Sequence, residues 1–466
     1  MKQEALKIPV VRNEIITMQI DTMAYDNAAI GRYKDFVVMV DRGAPGDEVK
    51  VEITLVKENY ARGKIIEIIS SNSEYRIDPK CKLFKVCGGC QWQHLPYEKQ
   101  LEQKDLLMGN FTKKLNLEDE ILKNILPANS SWKYRNKVQY PVRTVESTGR
   151  LKAGYFEWNS NDLINVKHCP IQYDLFEEII ETIRELAPKY RLISKSSKRS
   201  SEDLKGGFLR HVCVRASEKT GEALLTLISS KDDFTGSKEF AKEVMEKHKE
   251  LVGVTFNINK GSTNVIYGDK SRILGGRDFI YEEISNVKFK VSSNAFFQIN
   301  TTQAETIINI IKSYLSDKNK NLLDAYCGVG FISLCLAGKF ERVIGIEEVQ
   351  SAIESAKLNA KDNNIQNAEF IFGKVENKIE DILESHHPDT VILDPPRIGC
   401  NKAVIEALLA KKPQTIIYVS CNPSTLVRDL EKLQSHYKIK SIQPVDMFPH
   451  TYHIENVVFL ERIAIL

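Results

Sequence analysis

From about Val291 onward the sequence alternates apolar strands with helical stretches, and this alternation restricts the fold more than any other feature of the chain. The helix-like TTQAETIINIIKSYL leads into the strand NLLDAYCGVG; the helix FISLCLAGKF and the strand RVIGIEEV follow. After SAIESAKLNAKDNN come three more apolar runs, in AEFIFG, TVILDPPR and TIIYVSCNP. Parallel strands cannot be joined by tight turns and need long crossovers, usually helices. The pattern therefore predicts a doubly wound, mainly parallel sheet with ligand sites beyond the strand C-termini.

The rest of the chain is organised differently. At 466 residues it exceeds one ordinary core, so two or three domains are expected. Residues 9–69 read as short strands broken by turns such as DRGAPGDE, which predicts a small β-barrel of the oligonucleotide-binding kind. An amphipathic helix is expected over 97–115, and mixed strands and helices over 126–290. The run KSSKRSSEDLKGG (195–207) reads as a mobile loop. With 42% hydrophobic and 27% charged residues, the composition is that of a soluble globular protein. The N-terminal stretch has no signal-peptide pattern and no 18 apolar residues run together, so a cytoplasmic protein without membrane contact is expected. In a reducing compartment nine cysteines, an odd number, argue for free thiols or metal ligands over disulfides.

The net charge of +3 says little, but its distribution says more. From Arg184 to Arg215 nine Lys or Arg stand against three Asp or Glu. WKYRNKVQYPVR (132–143) interleaves Lys133, Arg135, Lys137 and Arg143 with Trp132, Tyr134 and Tyr140. Cations that meet phosphates and rings that stack on unpaired bases suit RNA. A solvated basic face with core aromatics explains the same pattern equally well.

Chemistry concentrates at the predicted strand ends. Gly328 and Gly330 follow an apolar strand, where glycine lets the backbone turn sharply and approach a ligand. Ser333 takes the third glycine position of a dinucleotide fingerprint, which weakens a nicotinamide reading. The next strand ends in Glu347, a carboxylate suited to ribose hydroxyls of either NAD or S-adenosylmethionine. Asp394 closes another strand ahead of two prolines, an arrangement for which hydride transfer has no evident use. Cys421 ends a further strand, where an accessible thiolate acts as a nucleophile.

In chain order FFQIN (296–300), DAYCGVGFIS, DPPR, SCNP and HTYHIE (450–455) resemble the RNA uracil-5-methyltransferase family. CKLFKVCGGCQWQ (81–93) and KHCP resemble its iron–sulfur members that methylate 23S rRNA, and residues 9–69 resemble the TRAM domain with which many of these begin. The fold so implied is α/β: a TRAM, OB-like RNA-binding β-barrel at 1–72, a central α/β iron–sulfur domain at 73–92 and 123–290, and a Rossmann-like S-adenosylmethionine methyltransferase domain at 93–122 and 291–466. Carried over residue by residue, the resemblance implies Cys421 as nucleophile, Glu455 as the base that removes the C5 proton, and Asp394 beside both uracil and cofactor. It also implies that Gln298, Tyr326, Glu347 and Asp394 line the S-adenosylmethionine site. Tyr326 stands where relatives have Phe, and Phe331 where some have Asn. Cys327 and Cys400 are nearby thiols that do not match the nucleophile position.

Cys81, Cys87 and Cys90 have the spacing C-x5-C-x2-C, and the resemblance adds Cys169 as a fourth thiolate. Four thiolates suit zinc or an iron–sulfur cluster, and spacing alone does not choose. The resemblance implies [4Fe–4S], with zinc as the alternative. It further implies RNA as partner, large-subunit ribosomal RNA ahead of tRNA, with a monomer as the default. Two other classes compete: a non-catalytic RNA-binding protein on a methyltransferase fold, and an NAD-dependent oxidoreductase.

Overall fold

The computed structural model describes residues 8–464 except 27, 119, 146, 195–206, 262, 317 and 318. The loop expected at 195–207 thus lies almost wholly outside the described residues. Near the N-terminus β1 (Ile15–Met23), β2 (Ala28–Tyr33), β3 (Phe36–Asp41), β4 (Glu48–Val56) and β5 (Tyr60–Ser70) close into a barrel in the order β1-β2-β3-β5-β4. Burial alternates along β1, so Ile16, Met18 and Ile20 fill the barrel while Ile15, Thr17 and Gln19 face out.

A second sheet has the order β11-β10-β9-β8-β6-β7, from β6 (Lys137–Thr144), β7 (Leu151–Ala153), β8 (Leu209–Ala216), β9 (Ala223–Ser229), β10 (Leu251–Ile258) and β11 (Lys270–Gly276). Helices α2 (Asp174–Leu186) and α3 (Ser237–Lys247) belong to this region, which α1 (Tyr97–Thr112) precedes. The aromatic-platform reading of 132–143 fails here for two of its three rings. Along β6 the period of two puts Tyr140 with Val138 and Val142 in the core, and Tyr134 is also buried. Arg184 is likewise buried, donating to the carbonyls of Ala153 and Val166.

A ribbon of β12 (Phe279–Ile284) and β13 (Val287–Ser292) leads to α4 (Thr301–Tyr314) and a seven-stranded sheet. Its strands are β14 (Asn319–Asp324), β15 (Phe340–Glu347), β16 (Ala368–Phe372), β17 (Thr390–Leu393), β18 (Thr415–Ser420), β19 (Tyr437–Val445) and β20 (Glu455–Arg462), ordered β16-β15-β14-β17-β18-β20-β19. The first five are parallel; β20 runs antiparallel between β18 and β19. Helices α5 (Phe331–Leu336), α6 (Gln350–Asp362), α7 (Val375–His386), α8 (Lys402–Lys411) and α9 (Pro423–Leu433) connect them. From β14 the chain runs outward to β16 and returns on the other side at β17, so the strand order switches between β14 and β17. A crevice opens beyond the strand ends at such a point.

Early residues complete this late sheet. Lys123 and Leu126 donate backbone N–H groups to the carbonyls of Ile442 and Pro444 on β19, at 2.9 Å each. Helix α1 packs against α9, and its fully buried Lys104 pairs with the equally buried Asp446 at 2.6 Å. A charge buried this deeply requires its partner, because water no longer solvates it.

Candidate active site

A cleft of about 980 Å³ lies at the switch point, lined by Tyr326, Gly328, Glu347 and Asp394 among others. Gly328 and Gly330 have φ of 54° and 81°, in the left-handed region that favours glycine. A methyl group at Gly330 would press on Leu334, Phe370 and Ala356, whereas one at Gly328 would meet nothing within 4 Å. Gly330 therefore serves packing, and Gly328 leaves room for a ligand. Glu347 braces the turn, accepting from the N–H of Gly328 at 3.1 Å and of Val349 at 2.8 Å.

Gln298 lines a small recess that adjoins the cleft and is shared with Asp324, Tyr326 and Asp394. Its segment is irregular and held from the second sheet: Asn136 Nδ2 donates to the Gln298 carbonyl at 2.9 Å and Arg215 to that of Ala295 at 2.6 Å. Phe331, where some relatives have Asn, is buried edge-on to Phe289 and Phe297 and serves the core. Exposed apolar side chains, Phe296 at 77% and Ile398 at 76%, stand on the rim.

Cys421 follows β18 directly, Asp394 follows β17, and Glu455 opens β20, the neighbour of β18. The three sense one another's charge. Burial, then Glu455 and Asp394, push the Cys421 thiol up to about 11, while Arg397 pulls it down. Burial, then Asp394, raise the Glu455 carboxyl well above the usual range, again opposed by Arg397. Burial, then Asp324, bring Asp394 to about 7. Cys421 is half-buried, whereas Cys327 and Cys400 are buried. The sequence reading missed two contributors. Arg397, in DPPR, is the cation near thiol and base, with its guanidinium 3.3 Å from Nε2 of His453. Asp324 sits beneath the glycine turn and accepts from Ser333 N–H at 3.1 Å and Oγ at 2.6 Å. A strand-end carboxylate facing the serine of the fingerprint was the signal for it.

No disulfide joins any of the nine cysteines. Cys81, Cys87, Cys90 and Cys169 share one neighbourhood: Cys90 senses Cys87 and Cys81, and Cys169 senses Cys90 and Cys81. Arg135 is within electrostatic reach of Cys90 and Cys169, and its buried Nε has no hydrogen-bond partner among the described residues. Among those residues no group of three or more His, Cys, Asp or Glu is arranged to hold a metal ion. The N–H groups of Gln91 and Trp92, just past Cys90, both donate to the His450 carbonyl, at 2.9 and 3.0 Å. Trp132 stacks on the His450 ring at 3.8 Å. The cysteine loop thus abuts HTYHIE.

The strand order, the glycine turn and the acidic strand end together define a Rossmann-like domain with a nucleoside-suited crevice, joined to a small β-barrel. The chain belongs to the tRNA (uracil-5-)-methyltransferase family, which it matches over residues 217–463, and it matches the TRAM domain over 9–66. An uncharacterized RNA methyltransferase of Bacillus cereus is 38% identical over 98% of both chains. One from Clostridium acetobutylicum is 37% identical over 98% of this chain and 99% of its own. Among solved structures, the Pyrococcus abyssi tRNA (uracil-54, C5)-methyltransferase in complex with S-adenosyl-L-homocysteine superposes with a TM-score of 0.75 at 26% identity. The match covers 96% of this chain and 100% of that one. The protein is an S-adenosylmethionine-dependent RNA (uracil-5-)-methyltransferase. Among the described residues no helix is long and apolar enough to cross a membrane.

Proposed function

We propose that Cys421, Glu455 and Asp394 carry out the methylation of C5 of a uridine in large-subunit ribosomal RNA. The observation that carries the chemistry is the placing of Asp394, Cys421 and Glu455 at the ends of the neighbouring strands β17, β18 and β20, with Asp394 lining the cleft; the choice of ribosomal RNA rests on the resemblance of the cysteine segment. The Cys421 thiol gives up its proton to solvent, with Arg397 offsetting the charge, and the thiolate adds to C6, which turns the poorly nucleophilic C5 into the carbon of an enolate. The methyl donor, when bound, supplies an electrophilic methyl group to that carbon. Glu455 then takes the C5 proton, the C6–S bond breaks, and the thiolate leaves. A carboxylate raised by burial is a stronger base once ionised. Asp394, near 7, keeps its proton in part of the population and can donate a hydrogen bond to a uracil oxygen as charge develops there. Glu347, Tyr326 and the open space at Gly328 suit a nucleoside with free ribose hydroxyls, and Gln298 and Asp394 suit its methionine end. The target base has to leave its stack to reach Cys421.

The test is tritium release from RNA carrying [5-³H]uridine, since methylation expels the C5 hydrogen. Undermodified large-subunit ribosomal RNA should release tritium and tRNA should not. Release from tRNA alone would transfer the reading to the substrate named for the Pyrococcus abyssi neighbour. Release from neither, with the donor bound, would overturn it.

For the cysteines we favour a [4Fe–4S] cluster held by Cys81, Cys87, Cys90 and Cys169. The four thiols share one neighbourhood, and the buried Arg135 beside Cys90 and Cys169 supplies positive charge for an anionic centre. When bound, the cluster would tie the cysteine loop to the segment that leads into α2. Protein purified without air should contain iron and acid-labile sulfide in equal amounts, and Cys169→Ser should lose both. Zinc without sulfide would rule the cluster out.

A further inference from the structure

Tyr25 lies in the turn between β1 and β2 of the barrel, yet its hydroxyl donates to the carbonyl of Cys421 at 3.0 Å. Cys421 precedes Asn422, the N-cap of α9, so its carbonyl stands outside the helix ladder. It also lies beyond Ser420, the last β18 residue paired with β20. The N–H of this peptide donates to Ser420 Oγ at 3.2 Å, while its carbonyl takes its contact from the barrel, so Tyr25 fixes the side of the peptide that the local turn leaves open.

The turn that supplies the contact is fastened on several sides. Gln103 Oε1 on α1 accepts from Thr22 Oγ1 and from the Met23 N–H, both at 3.0 Å. Asp26, next to Tyr25, pairs with Arg62 of β5. The Tyr25 ring meets Phe111 of α1 and Tyr452 edge-on, each at 5.4 Å. Tyr452 in turn packs on His453 at 4.3 Å, whose Nε2 faces Arg397. The barrel turn, α1, the end of β18 and the HTYHIE loop all meet at one side chain.

We propose that Tyr25 is a positioning residue for the Cys421 thiol, so that the barrel takes part in catalysis as well as in RNA contact. This rests on Cys421 acting as the nucleophile. Its hydroxyl holds the Cys421 peptide so that Sγ is directed at C6 of the incoming base; the reaction needs this alignment more than binding does.

Tyr25→Phe in the full chain removes the donor and keeps the ring. Its single-turnover methylation rate should fall about five- to tenfold, the cost of one hydrogen bond with some misalignment. Adduct formation with 5-fluorouridine RNA should slow by the same factor, while the Kd for RNA stays within about twofold and the melting temperature falls by no more than about 2 °C. Gln103→Leu, which frees the turn but leaves the phenol, should slow the adduct step in the same direction. An unaltered adduct rate in Tyr25→Phe, or a loss of RNA affinity that accounts for the whole effect, overturns the proposal. Cys421→Ala run alongside separates the two readings. If it still methylates, the nucleophile assignment fails first; if it is dead while Tyr25→Phe runs at full rate, only the role of Tyr25 fails.

Discussion

Cys421→Ala should lose methyl transfer by about 10⁴-fold or more, a loss typical of removing a nucleophile, while RNA affinity stays within about twofold. No neighbouring thiol can replace it. Cys327 and Cys400 are buried, and burial first of all holds both thiols above their ordinary value. Cys421 is itself pushed up to about 11 by burial, Glu455 and Asp394, so in the free protein it is mostly protonated at neutral pH. Arg397 opposes that shift and is the charge available to stabilise the thiolate. The substitution removes one sulfur from a half-buried position, so little packing is lost. Retained turnover would place the attacking group elsewhere; lost RNA binding would mean that Cys421 serves the interface instead of the chemistry.

Glu455→Gln should lower turnover about 10³-fold, within the range for a general base, and leave a trace that Cys421→Ala cannot. With thiol and donor intact, addition and methylation proceed, but the C5 proton has no acceptor and the C6–S bond persists. Methylated RNA should therefore stay attached to the protein on a denaturing gel, carrying label from the methyl donor and using ordinary uridine. Glutamine keeps the shape of a side chain that is 8% exposed, so the fold should survive. Slow turnover without a trapped complex would assign proton removal to another group.

Much of this site was legible in the sequence because it sits where strands end. Asp394, Cys421 and the glycine turn each follow an apolar run, and a parallel sheet delivers such positions to one crevice. What local pattern could not show was the far side of each contact. Arg397 was in view within DPPR, but only its prolines were read, since nothing local says that its charge reaches Cys421 and Glu455. Tyr25 lies 396 residues from Cys421 in sequence and reads as an ordinary turn residue. Asn136 and Arg215 hold the FFQIN segment from another sheet, through backbone carbonyls that carry no sequence signal. The aromatics of 132–143 were misleading in a correctable way: alternation along β6 already placed Tyr140 with Val138 and Val142, and period two outranks the company of basic neighbours.

The pairing of Lys104 with Asp446 sets a timetable for the nascent chain. The helix that carries the lysine leaves the ribosome 342 residues ahead of the aspartate that makes its burial tolerable. Through that interval the ammonium has to stay hydrated, and Leu107 and Met108 on the same helix lack their final cover. The barrel, whose strands all precede the helix, can close at once, but the helix is left waiting.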